Sequence, residues 1–211
     1  MKTTELISLL AADGGPPKIS LKAALHAGIL AGVAITVLAA AVTLGIRTLQ
    51  TDQEWALVAK ISFGLTVLLA GATSLRELAR PASPGSTALI RAALPLGGAM
   101  TVAALALAMS PPHAREAELF GEHWLSCLVF IPFLAVAPFL ILCAVIQRWG
   151  APTRLRLTGA AAGFTAGGIG ALGYALHCAD DSLAFLGGWY VLAVAISAAL
   201  GATFGSRLLR W

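Results

Sequence analysis

The sequence predicts an all-α membrane protein, a polytopic bundle of six transmembrane helices with both termini in the cytoplasm. The first observation is composition: 58% of the 211 residues are hydrophobic and 11% are charged, whereas an ordinary soluble domain carries about 25% charged residues. Six apolar stretches are also long enough to cross a bilayer. Finally, the basic residues collect on one side of these stretches. This composition argues against a soluble enzyme, a disordered regulator and a coiled coil.

Each predicted span is long enough because about 20 apolar residues of helix cover a hydrocarbon core about 30 Å thick. The stretches are approximately residues 23–46, 55–75, 88–109, 125–146, 157–176 and 183–204. None alternates apolar with polar residues at a period of two, which argues against spanning strands. We therefore divide the chain into a cytoplasmic amphipathic segment, residues 1–22, and a six-helix transmembrane domain, residues 23–211.

The orientation follows from the Lys and Arg residues of the short loops, which favour the cytoplasmic side. With the N-terminus inside, most of the 14 basic residues lie at inner helix ends, while most of the 10 acidic residues lie in outer loops. The inner basic residues are Lys2, Lys18, Lys22, Arg76, Arg80, Arg91, Arg148, Arg154, Arg156, Arg207 and Arg210. Both termini are therefore predicted to be cytoplasmic.

Small residues at four-residue spacing predict close helix packing, because they let helix backbones approach. The spacing occurs at Gly28 and Gly32, at Gly159, Gly163 and Gly167, and at Gly201 and Gly205. We favour packing within one chain over a dimer interface.

The spans offer little for catalysis. Lys60 is the charged residue that lies well inside a predicted span, and no metalloprotease, P-loop or nucleophile-elbow motif occurs. We therefore do not expect an enzyme. We expect the Lys60 ammonium to reach outward to the interface, near Asp52 or Glu54. An ion pair with Asp180 or Asp181, or a transport role, remains the alternative.

Two cysteines point to a sensing or metal site at the outer surface. Cys127 starts the fourth span and Cys178 ends the fifth, so adjacent antiparallel helices bring them to one side. Other potential ligands lie close in sequence, namely His123, His177, Asp180 and Asp181. Thiolate and imidazole suit soft and borderline metals. A metal site, a disulfide and two buried cysteines that never touch all remain open at this point. We expect Cys143 simply to pack.

The N-terminal segment is predicted to form a short amphipathic helix. Its apolar arc consists of Leu6, Ile7, Leu9 and Leu10, and Thr4, Glu5 and Ser8 lie opposite. Such a short helix is marginal alone and needs a partner for its apolar face. Either lipid or the apolar groove of a cytoplasmic protein could serve.

Several sequence pieces belong together as a family pattern. They are residues 1–7 (MKTTELI), Arg80-Pro81, Cys127 followed by Ile131-Pro132, residues 151–154 (APTR), residues 175–182 (ALHCADDS) and Trp189-Tyr190. With these pieces the chain resembles the negative-regulator-of-sigma-F (NrsF-like) membrane proteins, a family of six-span anti-sigma factors. The likeness spans nearly the whole chain.

The resemblance implies a membrane-bound anti-sigma factor of the bacterial inner membrane. Family members hold an extracytoplasmic-function sigma factor through a cytoplasmic N-terminal motif, matched here by Glu5, Leu6 and Ile7. They release it on a heavy-metal or oxidative signal at periplasmic-face cysteines, matched by Cys127 and Cys178. No cofactor is implied beyond a transient heavy-metal ion. Direct contact with nucleic acid is not expected from the composition, because the charged residues are scattered singly rather than massed on one face.

Two alternatives belong to other functional classes. One is a small metal or ion transporter that uses Lys60, Asp180 and Cys178. The other is a purely structural membrane subunit, for which the glycine-rich helix faces are the argument.

Overall fold

The described part of the chain is all-helical. The structure is a computed structural model that describes residues 3–5, 7–8, 19–45, 54–81 and 85–210. Seven helices are formed by these residues: α1 Leu21–Thr43, α2 Glu54–Leu78, α3 Ser86–Met109, α4 Arg115–Phe120, α5 Trp124–Trp149, α6 Leu155–Ala175 and α7 Leu183–Leu208. Within α7, an α-helical turn is followed by a π-helical turn, Leu186–Tyr190, before the α-helix resumes. The all-α prediction is confirmed for the residues described.

In the part of the chain that the structure describes, five helical stretches are long and apolar enough to cross a membrane: α1, α2, α3, the α4–α5 stretch Arg115–Trp149 and α7. Helix α6 is not among them. Its 21 residues span about 31 Å at 1.5 Å per residue, but it is rich in glycine and alanine and contains few large apolar side chains. The fifth predicted span thus corresponds to a helix of sufficient length whose composition differs from the others.

The composition of α6 follows from its position at the centre of the bundle. Most of its residues are buried, and α1, α2, α5 and α7 all pack against it. A Cβ on Gly163 would lie 2.9 Å from the Cα of Gly201 in α7, and one on Gly159 would lie 3.0 Å from the Cα of Gly205. Small residues are required here because the helix backbones touch. The expectation that these glycines pack within the chain is confirmed.

The outer surface of the bundle carries the large apolar side chains instead. Leu30 of α1, Leu69 of α2, Met109 of α3 and Phe133 of α5 are all more than 60% exposed. A soluble monomer rarely exposes so much contiguous apolar surface. This arrangement is the one expected of helices solvated by lipid.

Two apolar clusters fill the interior, one toward each end. The first contains Cys127, Ile131, Tyr174, Cys178 and Tyr190. The second, at the opposite end, is formed by Leu25, Leu75, Leu142, Cys143, Ile146, Leu209 and their neighbours. Cys143 is 3% exposed in this apolar surrounding, which confirms that it packs.

Candidate functional site

Two buried cysteines lie at the end of the bundle where α2, α5 and α7 begin and α6 ends. We call it the cysteine end. Cys127 lies in the first turn of α5 and is 0% exposed, and Cys178 lies three residues beyond α6 and is 1% exposed. The two cysteines are not joined by a disulfide, and both belong to one apolar cluster with Tyr174 and Tyr190. The two sequence-predicted thiols are therefore brought into the same buried region, without a disulfide.

Lys60 of α2 fastens the loop that carries Cys178. Its Nζ donates to the backbone carbonyl of Cys178 and to Oδ1 of Asp181, both at 2.9 Å. The Lys60 side chain is 1% exposed and that of Asp181 is 15% exposed. The expectation that Lys60 reaches outward was wrong, and the ion-pair alternative holds. A lone ammonium is costly in an apolar interior, so the Lys60 ammonium pairs with the carboxylate on the neighbouring loop and does not extend to the more distant interface.

Asp180 ties the same loop to the start of α5. Its two carboxylate oxygens accept from the backbone N–H groups of Glu122 and His123, each at 3.0 Å. The Nδ1 of His123 also lies 3.3 Å from Oδ2 of Asp180. Since the backbone N–H of Cys127 in turn donates to the carbonyl of His123 at 3.0 Å, Asp180 caps the helix turn that holds Cys127. The loop after Cys178 thus supports the position of Cys127.

Gly121 is required by this cap. Its φ of +55° is in the left-handed region, and a Cβ there would lie 2.6 Å from Oδ1 of Asp180. A side chain at position 121 would therefore displace the carboxylate from the helix start.

The potential metal ligands are divided among other contacts. Asp181 pairs with Lys60, Asp180 pairs with His123, and the His177 ring lies 6.1 Å from that of Tyr174. Within the described ranges, no group of three or more His, Cys, Asp or Glu side chains is arranged to hold a metal ion. The two cysteines are thus the part of the predicted ligand set that shares one cluster.

The surroundings of Cys178 contain several groups that favour a thiolate. Burial raises the pKa of the Cys178 thiol, whereas the Lys60 ammonium, the backbone N–H of Asp180 and the Tyr190 hydroxyl each act to lower that pKa. Burial is the largest of these effects, so the pKa stays above its ordinary value. The thiol is therefore protonated at neutral pH and has hydrogen-bond donors ready for the anion.

A cavity of about 750 Å³ opens beside the loop that follows Cys178. Its wall includes the loop residues Ala179, Asp180 and Asp181, and also Glu118, Glu122 and His123 from the segment around α4. The carboxylates make its electrostatic potential negative, which attracts cations. Neither Cys127 nor Cys178 lines this cavity.

Aromatic side chains hold α4 against α7. The Nε1–H of Trp189 donates to the carbonyl of Leu119 at 2.7 Å. The Trp189 ring lies 4.9 Å from that of Trp124 and 5.7 Å from that of Phe120. Sequence reasoning did not assign Trp189 this role. It recognised the Trp-Tyr pair only as part of a family pattern, because no local signal links an indole to a carbonyl 70 residues away.

The N-terminal segment is described only in part. Thr3, Thr4, Glu5, Ile7 and Ser8 have helical backbone, and the Ser8 hydroxyl donates to the carbonyl of Glu5 at 2.9 Å. Ile7 is 61% exposed. The other predicted docking residues, Leu6, Leu9 and Leu10, lie outside the described residues. The described part agrees with a helix that presents an apolar side chain outward.

Comparison with known proteins decides the family. A family model described as Negative regulator of sigma F matches residues 10–211. The chain belongs to this family. It is 35% identical over 222 residues to the probable anti-sigma-F factor NrsF of Azospira oryzae, with both chains fully covered. It is also 35% identical over 224 residues to the anti-sigma-F factor NrsF of Caulobacter vibrioides, again over the whole of both chains.

Membership in the negative-regulator-of-sigma-F family confirms the resemblance read from the motifs. The family is regulatory, and its members act on a sigma factor. No solved structure matches the chain. The arrangement of the cysteine end therefore rests on the contacts described above.

Proposed function

We propose that this protein is a bacterial inner-membrane anti-sigma factor that holds an extracytoplasmic-function sigma factor and releases it in response to heavy metals or oxidants. The N-terminal segment binds the sigma factor, and Cys127 and Cys178 receive the signal. One observation carries the proposal. In a chain of this family, two cysteines that are not joined by a disulfide, one in α5 and one in the loop after α6, lie buried in one cluster at one end of the bundle.

The proposed topology has six spans with both termini in the cytoplasm. Helix α6 is the sixth span, enclosed by helices that themselves face lipid. The charges of the two ends support this orientation. The end opposite the cysteines carries Lys22, Arg76, Arg80, Arg91, Arg148, Arg154, Arg156, Arg207 and Arg210, whereas the cysteine end carries Glu54, Glu116, Glu118, Glu122, Asp180 and Asp181. The cysteine end is therefore periplasmic.

The two thiols suit either signal. A soft divalent cation binds both sulfur atoms as thiolates, and the two thiol protons pass to solvent. With a peroxide as oxidant, the two thiols lose two electrons and two protons and form a disulfide, while the peroxide is reduced to water or alcohol. In both reactions α5 becomes linked through sulfur to the loop after α6. The acidic cavity supports the metal route because it concentrates cations next to the Cys178 loop.

Docking of the sigma factor is assigned to Glu5, Leu6, Ile7, Leu9 and Leu10. An amphipathic helix in an apolar groove uses such a pattern of apolar anchors. The helical backbone around Glu5 and the exposed side chain of Ile7 support this assignment. Lipid is the other surface that this helix could bind, and the experiment below separates the two.

The test is capture of the sigma factor by the full-length protein in detergent or nanodiscs. Wild type should capture it, a deletion of residues 1–15 should not, and added cadmium should release it. Cys127→Ser and Cys178→Ser should capture normally but fail to release, whereas Cys143→Ser is the matched control and should release normally. Equal capture by the deletion variant would remove the docking role, and normal release by both serine variants would remove the sensing role.

A further inference from the structure

The signal at Cys178 needs a connection to the opposite end, and Lys60 is placed to provide it. The Lys60 ammonium binds the carbonyl of Cys178 itself and the carboxylate of Asp181, three residues later. A single side chain of α2 therefore grips the loop on both sides of Asp180. When the Cys178 backbone moves, this grip must move with it or break.

Water has little access to the Lys60 ammonium, because the Lys60 side chain is 1% exposed. Its neighbours on the same face of α2, Ala56 and Phe63, are buried and apolar. A buried ion pair keeps its partners together because either charge alone would be costly. Displacement of the Cys178 loop is thus passed to α2 rather than absorbed by solvent.

Helix α2 packs too tightly on α6 to deform locally. A Cβ on Gly64 would lie 2.8 Å from the Leu172 side chain, one on Gly71 would lie 2.9 Å from the Cα of Thr165, and one on Gly168 of α6 would lie 2.9 Å from the backbone N of Leu68. Close-packed interiors transmit displacement because they contain few voids to absorb it. Helix α2 therefore moves as one body.

The far end of α2 contacts the segments at the opposite end of the bundle. The carbonyl of Ala79 accepts from the backbone N–H of Ala151 at 2.9 Å, next to the start of α6. Glu77 accepts from Thr87 and Arg91 at the start of α3. Movement of α2 would thus change both connections at the proposed cytoplasmic surface.

We propose that Lys60 is a positioning residue that couples the chemical state of Cys178 to helix α2 and through it to the sigma-binding end. This inference rests on the proposed function, since it names the path that the proposed signal takes. Lys60 does not react. It holds the Cys178 loop on α2, so that a metal–thiolate or disulfide at the loop pulls α2 with it.

The experiment uses the double variant Lys60→Gln/Asp181→Asn in the full-length protein. This variant removes both charges together and leaves amides able to hydrogen-bond, which avoids a single charge in the apolar interior. Two quantities are measured with cadmium: protection of Cys127 and Cys178 from maleimide, and release of the bound sigma factor. Ser74→Ala, a buried polar change in the same helix, is the matched control.

The double variant is expected to change the release of the sigma factor but not the protection of the thiols. Cadmium should protect the thiols of the double variant at concentrations close to wild type, while the cadmium concentration for half-release of the sigma factor rises at least about tenfold, a typical coupling between sites. Release at the wild-type concentration would overturn the coupling role. An equal shift in protection and release would also overturn it, because Lys60 would then act on the thiols alone.

Cys178→Ser is measured in parallel. It separates an error in the role of Lys60 from an error in the proposed sensing function. If Cys178→Ser still releases the sigma factor on cadmium, the sensing function itself is wrong. If Cys178→Ser fails to release while the double variant releases normally, only the role of Lys60 is wrong. Ser74→Ala should behave as wild type in both readouts.

Discussion

Removal of the Asp180 carboxylate should increase the population of an open state in which the buried thiols of the cysteine end are accessible. In Asp180→Ala, the N–H groups of Glu122 and His123 lose their acceptors at 3.0 Å, and the turn that holds Cys127 loses its cap. Both residues are exposed, so water partly replaces the carboxylate. The loss of an N-cap, about 1–2 kcal/mol, is therefore the appropriate scale. This free energy corresponds to an increase of about 5- to 30-fold in the population of the open state.

The assay is the rate at which a small maleimide labels Cys127 and Cys178 in nanodiscs, since buried thiols react only from an opened state. Labelling of both should accelerate by that factor in Asp180→Ala. Asp180→Asn keeps one carbonyl oxygen as an acceptor and should fall between wild type and Asp180→Ala. Cys143, at the opposite end, provides the internal control and should label at an unchanged rate. Equal rates for wild type and Asp180→Ala would refute the role of Asp180 as the cap of this end.

Three further changes test other parts of the structure. Gly163→Leu should prevent assembly of the bundle, because a Cβ at position 163 already meets the Gly201 backbone, whereas Gly98→Leu, in open space, should be tolerated; membrane-inserted yield after heating measures both. Trp189→Phe removes the indole donor to Leu119 and should destabilise α4 locally by about 1 kcal/mol, seen as faster hydrogen exchange in α4 with no change in α1. Because burial raises the pKa of the Cys178 thiol, its alkylation rate should still be rising at pH 9. The Cys178 thiol of the unfolded chain has its ordinary pKa of about 8.5 and therefore loses its proton at lower pH than the folded protein does. The contribution of the buried thiol to the free energy of unfolding is therefore fully present below about pH 8.5 and is lost as the pH rises above that value. A plateau in the alkylation rate below pH 8 would contradict this assignment.

The sequence was sufficient for the helices because lipid imposes a simple rule. A run of about 20 apolar residues must be helical, since no water is available to its backbone. The glycine spacing of α6 likewise predicted backbone contact within the chain. Composition identifies this helix less well as a span, because α6 is surrounded by protein and has no need of large apolar side chains.

Side-chain partners at the cysteine end could not be read from the sequence. The Lys60 ammonium had two candidate partners, the interface and an acidic residue of the loop after α6. Which of them it contacts depends on their distances in the folded protein, which the sequence does not give. The cap that Asp180 forms on the start of α5 joins residues 57 and 58 positions apart, which no local pattern encodes. The cysteines were predictable as neighbours because antiparallel helices joined by a short loop bring their remote ends together.

One preparation can test the topology, the sensing of cadmium and the release of the sigma factor together. Sealed right-side-out vesicles that contain the protein with its sigma factor inside are treated from outside with cadmium. Cadmium should protect Cys127 and Cys178 together from an impermeant maleimide, and the sigma factor should become free in the lumen over the same cadmium range. Protection of the two thiols without release, or release that persists when both are serine, would contradict it.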